Sequence, residues 1–406
     1  MTKASAAFTD KTDNIYTATF IQVVNTAIAQ SLAVAAWRLP NATGLHACIS
    51  FSSNLSTNSP ELETSAFGFY FCPFEVSETE SNLFIQADLY FNSESGTITA
   101  GPDADKAKVA AFYTLLKSDP ESITGANWHT AATFADNNQQ TEEAFTTAVS
   151  KAVRTIQAEE MEKVVLSRNL LLPLPAKFEL LPAFEIILQT YPQAFVSLVS
   201  VPGAGTWLGA SPEILVSIDK DQIFRTVALA GTQPAAEPVS EAIWRQKEIE
   251  EQGMVERYIL SCFKRLRLRE YSEIGPRTII AGNLMHLRTD FKVDLKEVDF
   301  PTLGTDMLQL LHPTSAICGL PKEPALQFIL AHEGYNRSYY SGFLGPVNSP
   351  DGTHLYVNLR CMQLLPNTAV LYAGAGITAE SSPEKEWQET QHKMQTMGKI
   401  LSEFYF

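Results

Sequence analysis

The order of helices and strands along the chain constrains its fold more than any other feature of the sequence. Strand-like runs are Asn82 to Phe91, Lys163 to Leu172, Thr206 to Val216 with a break at Pro212, Phe224 to Leu229, Leu355 to Cys361, and Ala369 to Tyr372. Helices are predicted from Ala144 to Ile156, from about Val239 to Arg267, and from Pro383 to near the C-terminus with Ser382 as N-cap. Because these helices do not alternate regularly with strands, the sequence predicts an α+β fold rather than a doubly wound parallel sheet.

The length and composition indicate a globular chain with a large core. A chain of 406 residues permits one large domain or two. Hydrophobic residues make up 45% and charged residues 18%, with no low-complexity tract, so there is ample apolar surface to bury. We expect a single domain.

The net charge argues against two classes of partner. With 30 Lys+Arg against 45 Asp+Glu the formal charge is −15, and the summed field repels a phosphate backbone or an anionic membrane surface. We therefore expect no nucleic-acid partner and no membrane association. An anionic small molecule can still bind where local cations or a bound metal offset the background charge.

Cysteine usage and hydropathy predict a reduced, cytoplasmic protein. The five cysteines are scattered and form no close pair, so neither a disulfide framework nor a zinc site is indicated. Two long uncharged stretches, 14–37 and 186–212, are interrupted by polar residues, proline or glycine. Neither is predicted to be a membrane span or a signal-peptide core.

Two predicted helices each carry a pair of glutamates three residues apart. Glu248 and Glu251 share a face of the first long helix, and Glu386, Glu389 and Lys393 share a face of the C-terminal helix. Both faces continue into apolar residues, so the carboxylates are predicted to point inward. Buried carboxylates need a partner or a cation, and an oxygen-only ligand set suits magnesium. The competing interpretation is two ordinary solvated acidic faces.

Two further patterns resemble known motifs but fail on their context. The run from Gly374 to Ala379 resembles a dinucleotide-binding loop, yet the next helix begins only at Pro383 and no second strand follows. The pair His332 and Glu333 begins like a metalloprotease zinc motif, but Asn336 stands where the second histidine is required. The remaining histidines are predicted to be structural.

Several segments, taken in order, resemble one enzyme family. They are EKVVLSR at 162–168, GASPE at 209–213, LAGT at 229–232, HPTSAICGLP at 312–321, LRC at 359–361, YAGAGI at 372–377 and SPEKEWQETQHK at 382–393. Together they resemble the chorismate-binding enzymes, which include isochorismate, salicylate, anthranilate and aminodeoxychorismate synthases. The resemblance covers residues 141–402.

The resemblance implies a fold and a metal site. The implied fold is one large α+β domain over residues 1–406, with two packed antiparallel sheets surrounded by helices and an active site between them. Residues 1–140 would be a variable part of the same fold, and we expect a monomer. By position, Glu251 and Glu389 match direct magnesium ligands, while Glu248 and Glu386 match acids that hold the water shell of the ion.

The resemblance also implies how chorismate, a dicarboxylate, would be held. Arg360 and Tyr340 match residues that bind the enolpyruvyl carboxylate, and Lys393 matches a lysine near the metal-bound carboxylate. Gly374 and Gly376 would let backbone N–H groups approach the substrate. Two further substrate-binding positions follow from the matching segments: Thr232 and Ala316.

The implied chemistry uses water as the nucleophile. Lys163 matches the general base of the water-using members, whereas amine-forming members usually carry glutamine there. Glu213 matches the general acid that protonates the departing C4 hydroxyl. Ala230 stands where aminodeoxychorismate synthases often carry a nucleophilic lysine, which disfavours that activity.

These positions favour a magnesium-dependent isochorismate synthase, an isomerase, over three competing activities. Ala316 favours isochorismate, since salicylate synthases usually have threonine there, but Tyr340 and Leu359 also occur in salicylate synthases. An amine-forming enzyme and a chorismate-binding protein without turnover complete the set of hypotheses that the resemblance leaves open. The product could serve menaquinone or siderophore biosynthesis.

Overall fold

A computed structural model describes residues 16–117, 128–131, 139–234, 242–281 and 284–405. Within these residues the helices are α1 (Phe20–Ala29), α2 (Lys106–Leu116), α3 (Glu142–Gln157), α4 (Leu180–Thr190), α5 (Gln246–Arg265), α6 (Leu303–Leu311), α7 (Lys322–His332) and α8 (Pro383–Ser402). No helix in these ranges is both long enough and apolar enough to cross a membrane.

Over the described ranges the strands form two antiparallel sheets. The larger has eleven strands, in the spatial order β1 (Tyr16–Thr17), β8 (Thr97–Ala100), β7 (Leu89–Asn92), β3 (His46–Ser50), β2 (Ala33–Arg38), β10 (Phe195–Val201), β11 (Gly205–Ser211), β19 (Cys361–Leu364), β20 (Thr368–Ile377), β9 (Lys163–Pro173) and β16 (Gly319–Leu320). The smaller has nine, in the order β14 (Ser272–Ala281), β15 (Leu284–Asp294), β13 (Ile223–Pro234), β12 (Ile214–Asp219), β18 (Gly352–Val357), β17 (Phe343–Val347), β5 (Gly68–Cys72), β6 (Asn82–Gln86) and β4 (Ser56–Thr57). The predicted α+β class with two antiparallel sheets is confirmed.

An aromatic layer holds the two sheets face to face. The rings of Phe195 on β10 and Tyr356 on β18 stack with centroids 4.2 Å apart, and those of Trp37 and Phe69 lie 5.4 Å apart. Helices cover the outer faces, with α4 and α8 against the larger sheet and α5 and α6 against the smaller. Strands from before residue 101 enter both sheets, so this segment contributes to the same core.

Three predicted strands are broken where the chain passes from one sheet to the other. The predicted strand from Asn82 to Phe91 is two strands, β6 in the smaller sheet and β7 in the larger. Pro212 separates β11 from β12 as predicted. The predicted strand from Leu355 to Cys361 is wrong, because β18 ends at Val357 and β19 begins at Cys361. The segment that links β11 to β12 and the segment that links β18 to β19 lie next to each other between the sheets.

Two helix and strand boundaries also differ from the prediction. Helix α5 begins at Gln246 rather than near Val239, since the described residues 242–245 are not helical, and the Arg245 N–H donates to the Glu248 carboxylate as a cap. Strand β20 continues to Ile377, beyond the predicted end at Tyr372, because its ten-residue pairing with β9 satisfies the backbone of the Gly-Ala-Gly run. Ser382 occupies the N-cap position of α8, but its hydroxyl donates to Glu384 instead of capping.

Candidate active site

A cavity of about 130 Å³ opens between the sheets where the links between β11 and β12 and between β18 and β19 meet. Most of the site residues predicted from sequence line it: Glu213, Glu248, Glu251, Ala316, Tyr340, Arg360, Gly374, Gly376, Glu389 and Lys393. The structure therefore brings together residues that stand far apart in the chain.

Lys163 lies at the start of β9, and its side chain is completely buried beside the cavity. Its Nζ donates to Glu251 Oε1 over 2.8 Å, which joins β9 to α5. Opposite, a Cβ on Gly376 would stand 2.9 Å from Glu251 Oε1 and 3.1 Å from Lys163 Cε. A side chain at residue 376 would therefore shift the ends of this ion pair, and the glycine leaves room for it.

A second lysine–glutamate pair stands on α8. Lys393 Nζ lies 2.6 Å from Glu389 Oε1, four residues earlier on the same helix, and also donates to the Gly374 carbonyl over 2.8 Å. These side chains are partly open to solvent, 19% for Lys393 and 36% for Glu389. The carbonyl contact fixes Lys393 against β20 at the edge of the cavity.

Glu213 follows the proline at which the chain leaves the larger sheet, and its side chain is buried. Burial raises the pKa of the Glu213 carboxyl to about 7, against the opposing effects of a hydrogen bond from Thr314 and the charges of Lys163 and Lys393. The Thr314 hydroxyl lies 3.4 Å from Glu213 Oε1. Near neutral pH this carboxyl can therefore hold a proton and give it up.

Arg360 and Tyr340 form another part of the wall. Arg360 has φ +49°, a left-handed conformation that turns the chain between β18 and β19. Burial lowers the pKa of the Arg360 guanidinium, while the nearby Tyr340 and Glu389 oppose this. The Tyr340 ring stacks on Tyr372 with centroids 5.1 Å apart, and burial raises the pKa of its phenol, so the hydroxyl stays neutral. The pair offers a cation and a hydroxyl to an anionic group.

His286 is a cavity residue that sequence reasoning missed, since the histidines outside motifs were predicted to be structural. Its ring lines the cavity, with Nδ1 2.9 Å from the Gly231 carbonyl. Burial, with a smaller contribution from the charge of Arg360, lowers the pKa of His286 to about 4. The ring is thus neutral at pH 7. A single histidine within a strand gives no spacing signal by which it could have been found.

Three predicted site residues are not placed on the cavity wall. One is Lys163, which lies behind Gly376 and Glu251. Glu386 is buried, at 2% exposure, but does not line the cavity. The backbone of Thr232 belongs to β13, while its side chain lies outside the described residues.

The carboxylates on the cavity wall are the type of ligand that magnesium binds. Among the described residues, no three His, Cys, Asp or Glu side chains cluster closely enough to enclose a metal by themselves. Magnesium does not need such a cage, because it keeps several waters and binds through one or two carboxylates together with oxygens of the substrate. Glu251 and Glu389 reach one cavity from two helices and supply the oxygen ligands that the ion prefers.

Comparison with known proteins agrees with the resemblance. A sequence model described as "Chorismate binding enzyme" matches residues 5–402. The chain belongs to this family of chorismate-binding enzymes, which confirms the resemblance seen in the motifs.

Individual relatives include more than one activity. Isochorismate synthase EntC of Escherichia coli (strain K12) is 30% identical over 62% of this chain, but the alignment spans just under two thirds of that relative, 66%. Anthranilate synthase component 1 of Streptomyces coelicolor is 32% identical over 66% of this chain and 54% of its own. The solved structure of MenF, the menaquinone-specific isochorismate synthase from Escherichia coli, superposes with a TM-score of 0.73 at 22% identity, covering 93% of this chain and 91% of that one. The last comparison supports the fold.

Proposed function

We propose that this protein is an isochorismate synthase, which adds water at C2 of chorismate and releases the C4 hydroxyl. The observation that carries the proposal is a fully buried lysine, bonded to Glu251 beside the cavity, together with a carboxyl on the cavity wall whose pKa is about 7. Those are the base and the acid that the exchange requires. The isochorismate synthases among its relatives support the same reaction.

The step requires Lys163 as the free amine and Glu213 as the acid. Lys163 Nζ accepts a proton from the attacking water as the new C2–O bond forms, and both conjugated ring double bonds shift by one position towards C4. The Glu213 carboxyl gives its proton to the C4 oxygen as that C–O bond breaks, so the leaving group departs as water. One water enters and one leaves, with no change of oxidation state. Proton exchange with solvent then restores both states before the next turnover. The reverse reaction uses the same two groups with their roles exchanged.

The substrate carboxylates need positive charge inside an acidic protein. Arg360 and Tyr340 would bind the enolpyruvyl carboxylate through a guanidinium and a neutral hydroxyl. Lys393, already fixed by the Gly374 carbonyl, would stand near the ring carboxylate. These groups offset the field that a net charge of −15 sets up around the molecule.

Magnesium is the cofactor that the carboxylates favour. Glu251 and Glu389 would hold it, with Glu248 and Glu386 nearer its water shell. The bound ion would neutralise the ring carboxylate and keep it oriented. Lys163 and Lys393, which each pair with one of these glutamates, would keep the two acids in place before the ion arrives.

Ala316 favours isochorismate over salicylate as the product. Its methyl group lines the cavity next to Ile317 and Leu359 and adds no hydroxyl there. The product would feed menaquinone or siderophore biosynthesis, and the five free, buried cysteines fit a cytoplasmic enzyme.

The deciding experiment is chromatography of the purified protein with chorismate and magnesium at neutral pH. We expect a partial equilibrium between chorismate and isochorismate, because exchanging one hydroxyl position for another in similar dienes releases little free energy. The Glu213→Gln variant, which cannot donate the proton, is the control and should leave chorismate unchanged. Complete conversion to salicylate and pyruvate would identify a salicylate synthase. Product formation only with ammonia would identify an amine-forming enzyme, and no product at all would leave a binding protein.

A further inference from the structure

Glu333 and Arg337 form an ion pair that lies behind the cavity rather than on its wall. Glu333 follows the last residue of α7, Arg337 stands four residues later, and both side chains are only 2% exposed. The Nε of Arg337 donates to Glu333 Oε2 over 2.8 Å, and its Nη2 contacts Glu333 Oε1. A charge buried this deeply is stable only with such a partner.

Arg337 contacts three segments that each supply a residue to the cavity wall. Its side chain reaches two of them, and its backbone contacts the third within its own loop. Arg337 donates to the carbonyl of Val165 on β9 over 2.7 Å, and to the carbonyl of Ile317 over 2.8 Å. Its own carbonyl accepts the N–H of Tyr340 at 2.9 Å. Val165, Ile317 and Tyr340 all line the cavity.

Glu333 completes the attachment to the strand that carries Lys163. Its Oε1 accepts the Ser167 N–H over 2.6 Å and the Ser167 hydroxyl over 3.0 Å. The Ser167 hydroxyl also lies 2.6 Å from the Tyr335 hydroxyl, on the same loop as Tyr340. Both members of the pair thus connect the loop between α7 and β17 to β9: Glu333 bonds to Ser167, and Arg337 bonds to Val165.

The three segments depend on this pair to different degrees. Strand β9 is fixed independently by its ladder with β20. The segment around Ile317 leads into β16, and the Cys318 carbonyl accepts the Val165 N–H over 2.8 Å, so it is partly fixed to β9 as well. The loop carrying Tyr340 lies outside the sheets and contains Ser338 and Ser341 in the left-handed region with φ +51° and +60°. Such a loop keeps its shape only when its surroundings fix it.

We propose that Glu333 and Arg337 are positioning residues for the reaction of the proposed function, on which this inference rests. They fix Tyr340 and the wall formed by Ala316 and Ile317 relative to the base on β9. Only arginine can do this, because its planar fork reaches two carbonyls and a carboxylate at once, which a lysine cannot. Glu333, the acid of the failed zinc motif, and Arg337 thereby acquire a role.

The test compares Arg337→Met with a matched control, Arg38→Met. Arg38 is likewise buried and donates to backbone carbonyls, those of Leu188, Tyr191 and Ala194, but it does not line the cavity. In this variant the loop loses its side-chain contacts to Val165 and Ile317 but keeps those to Phe74 and Asn358, while strand β9 keeps its pairing. We therefore expect Arg337→Met to raise KM for chorismate about 10-fold and to lower kcat less than about threefold. Arg38→Met should lower the melting temperature without raising KM.

A double-mutant cycle with Tyr340→Phe separates positioning from general loss of stability. If Arg337 acts through Tyr340, the KM of the double variant should not exceed that of the more impaired single variant by more than about twofold. Should Arg337→Met fail to fold, Arg337→Lys and Glu333→Gln take its place in the cycle, with a smaller KM increase expected.

Two results would overturn the inference. One is a set of fully multiplicative KM effects in the cycle, and the other is the same kinetic change in the Arg38 control. A wild-type protein that consumes no chorismate would instead overturn the proposed function, so the two failures are distinguishable.

Discussion

The two lysine–glutamate pairs at the cavity are similar in chemistry and different in construction. Lys163 and Glu251 stand 88 residues apart and meet only because β9 and α5 pack together, with the lysine fully buried. Lys393 and Glu389 are one helical turn apart and partly exposed. A turn-spaced pair can form on an isolated helix and contributes only a few tenths of a kcal/mol. The first pair therefore forms only in the folded protein, whereas the second can form within the α8 helix alone.

The largest expected effect comes from removing the acid of either pair. In spite of their different settings, Glu251→Gln and Glu389→Gln should each abolish turnover while leaving the fold intact, because each would lose a magnesium ligand. Turnover of chorismate with excess magnesium, alongside circular dichroism, measures this. Glu250→Gln, an exposed neighbour on α5, is the control and should remain active. Full activity of the wild type in excess EDTA would remove the metal from the mechanism.

Replacing each lysine in turn should show that the two pairs have different roles. Lys163→Met should lower kcat by at least about 100-fold, the usual scale for a positioned base, with little change in KM. Lys393→Met should mainly raise KM, since that lysine stands near a substrate carboxylate. Steady-state kinetics of both variants would check the difference. Equal losses of kcat would mean that the pairs do not differ in role.

Adding a methyl group beside one pair is a gentler change. A Cβ at residue 376 would meet Glu251 Oε1 and Lys163 Cε, whereas one at residue 374 would stand 3.3 Å from the Tyr340 hydroxyl. Gly376→Ala should thus lower kcat by about 10-fold, and Gly374→Ala should act mainly on KM. Kinetics of the two alanine variants give the comparison, and an unaffected kcat in Gly376→Ala would show that the first pair has room to move.

The smallest effect is a shift in pH dependence. Glu213 must be protonated to act as the acid, so its contribution is complete well below pH 7 and is lost as pH rises through about 7, the pKa set by burial. The charges of Lys163 and, less strongly, Lys393 lower this pKa. Replacing Lys393 by Met should therefore move the falling limb of the kcat profile to higher pH. A limb that stays in place would mean that another group sets it.

The sequence predicted the parts of the site that have a local signal. Helical spacing placed both glutamate pairs on inward faces, and the ordered motifs located Lys163, Glu213 and Arg360. It could not predict that β18 ends before Arg360, because Leu355 to Cys361 reads as one continuous strand until the second sheet is known. Nor could it identify His286 or Arg337, whose roles depend on contacts with residues far away in the chain.

The two links between the sheets make the site sensitive to the thickness of the sandwich. Glu213 and Arg360 lie in the segments that link the two sheets. Lys163, Gly374 and Gly376 belong to strands of the larger sheet. The ring stack of Phe195 on Tyr356 is one of the aromatic contacts that separate the sheets. A smaller side chain in that stack would bring the sheets together and change the span between acid and base, so an interior residue that never meets chorismate can adjust the rate at which it reacts.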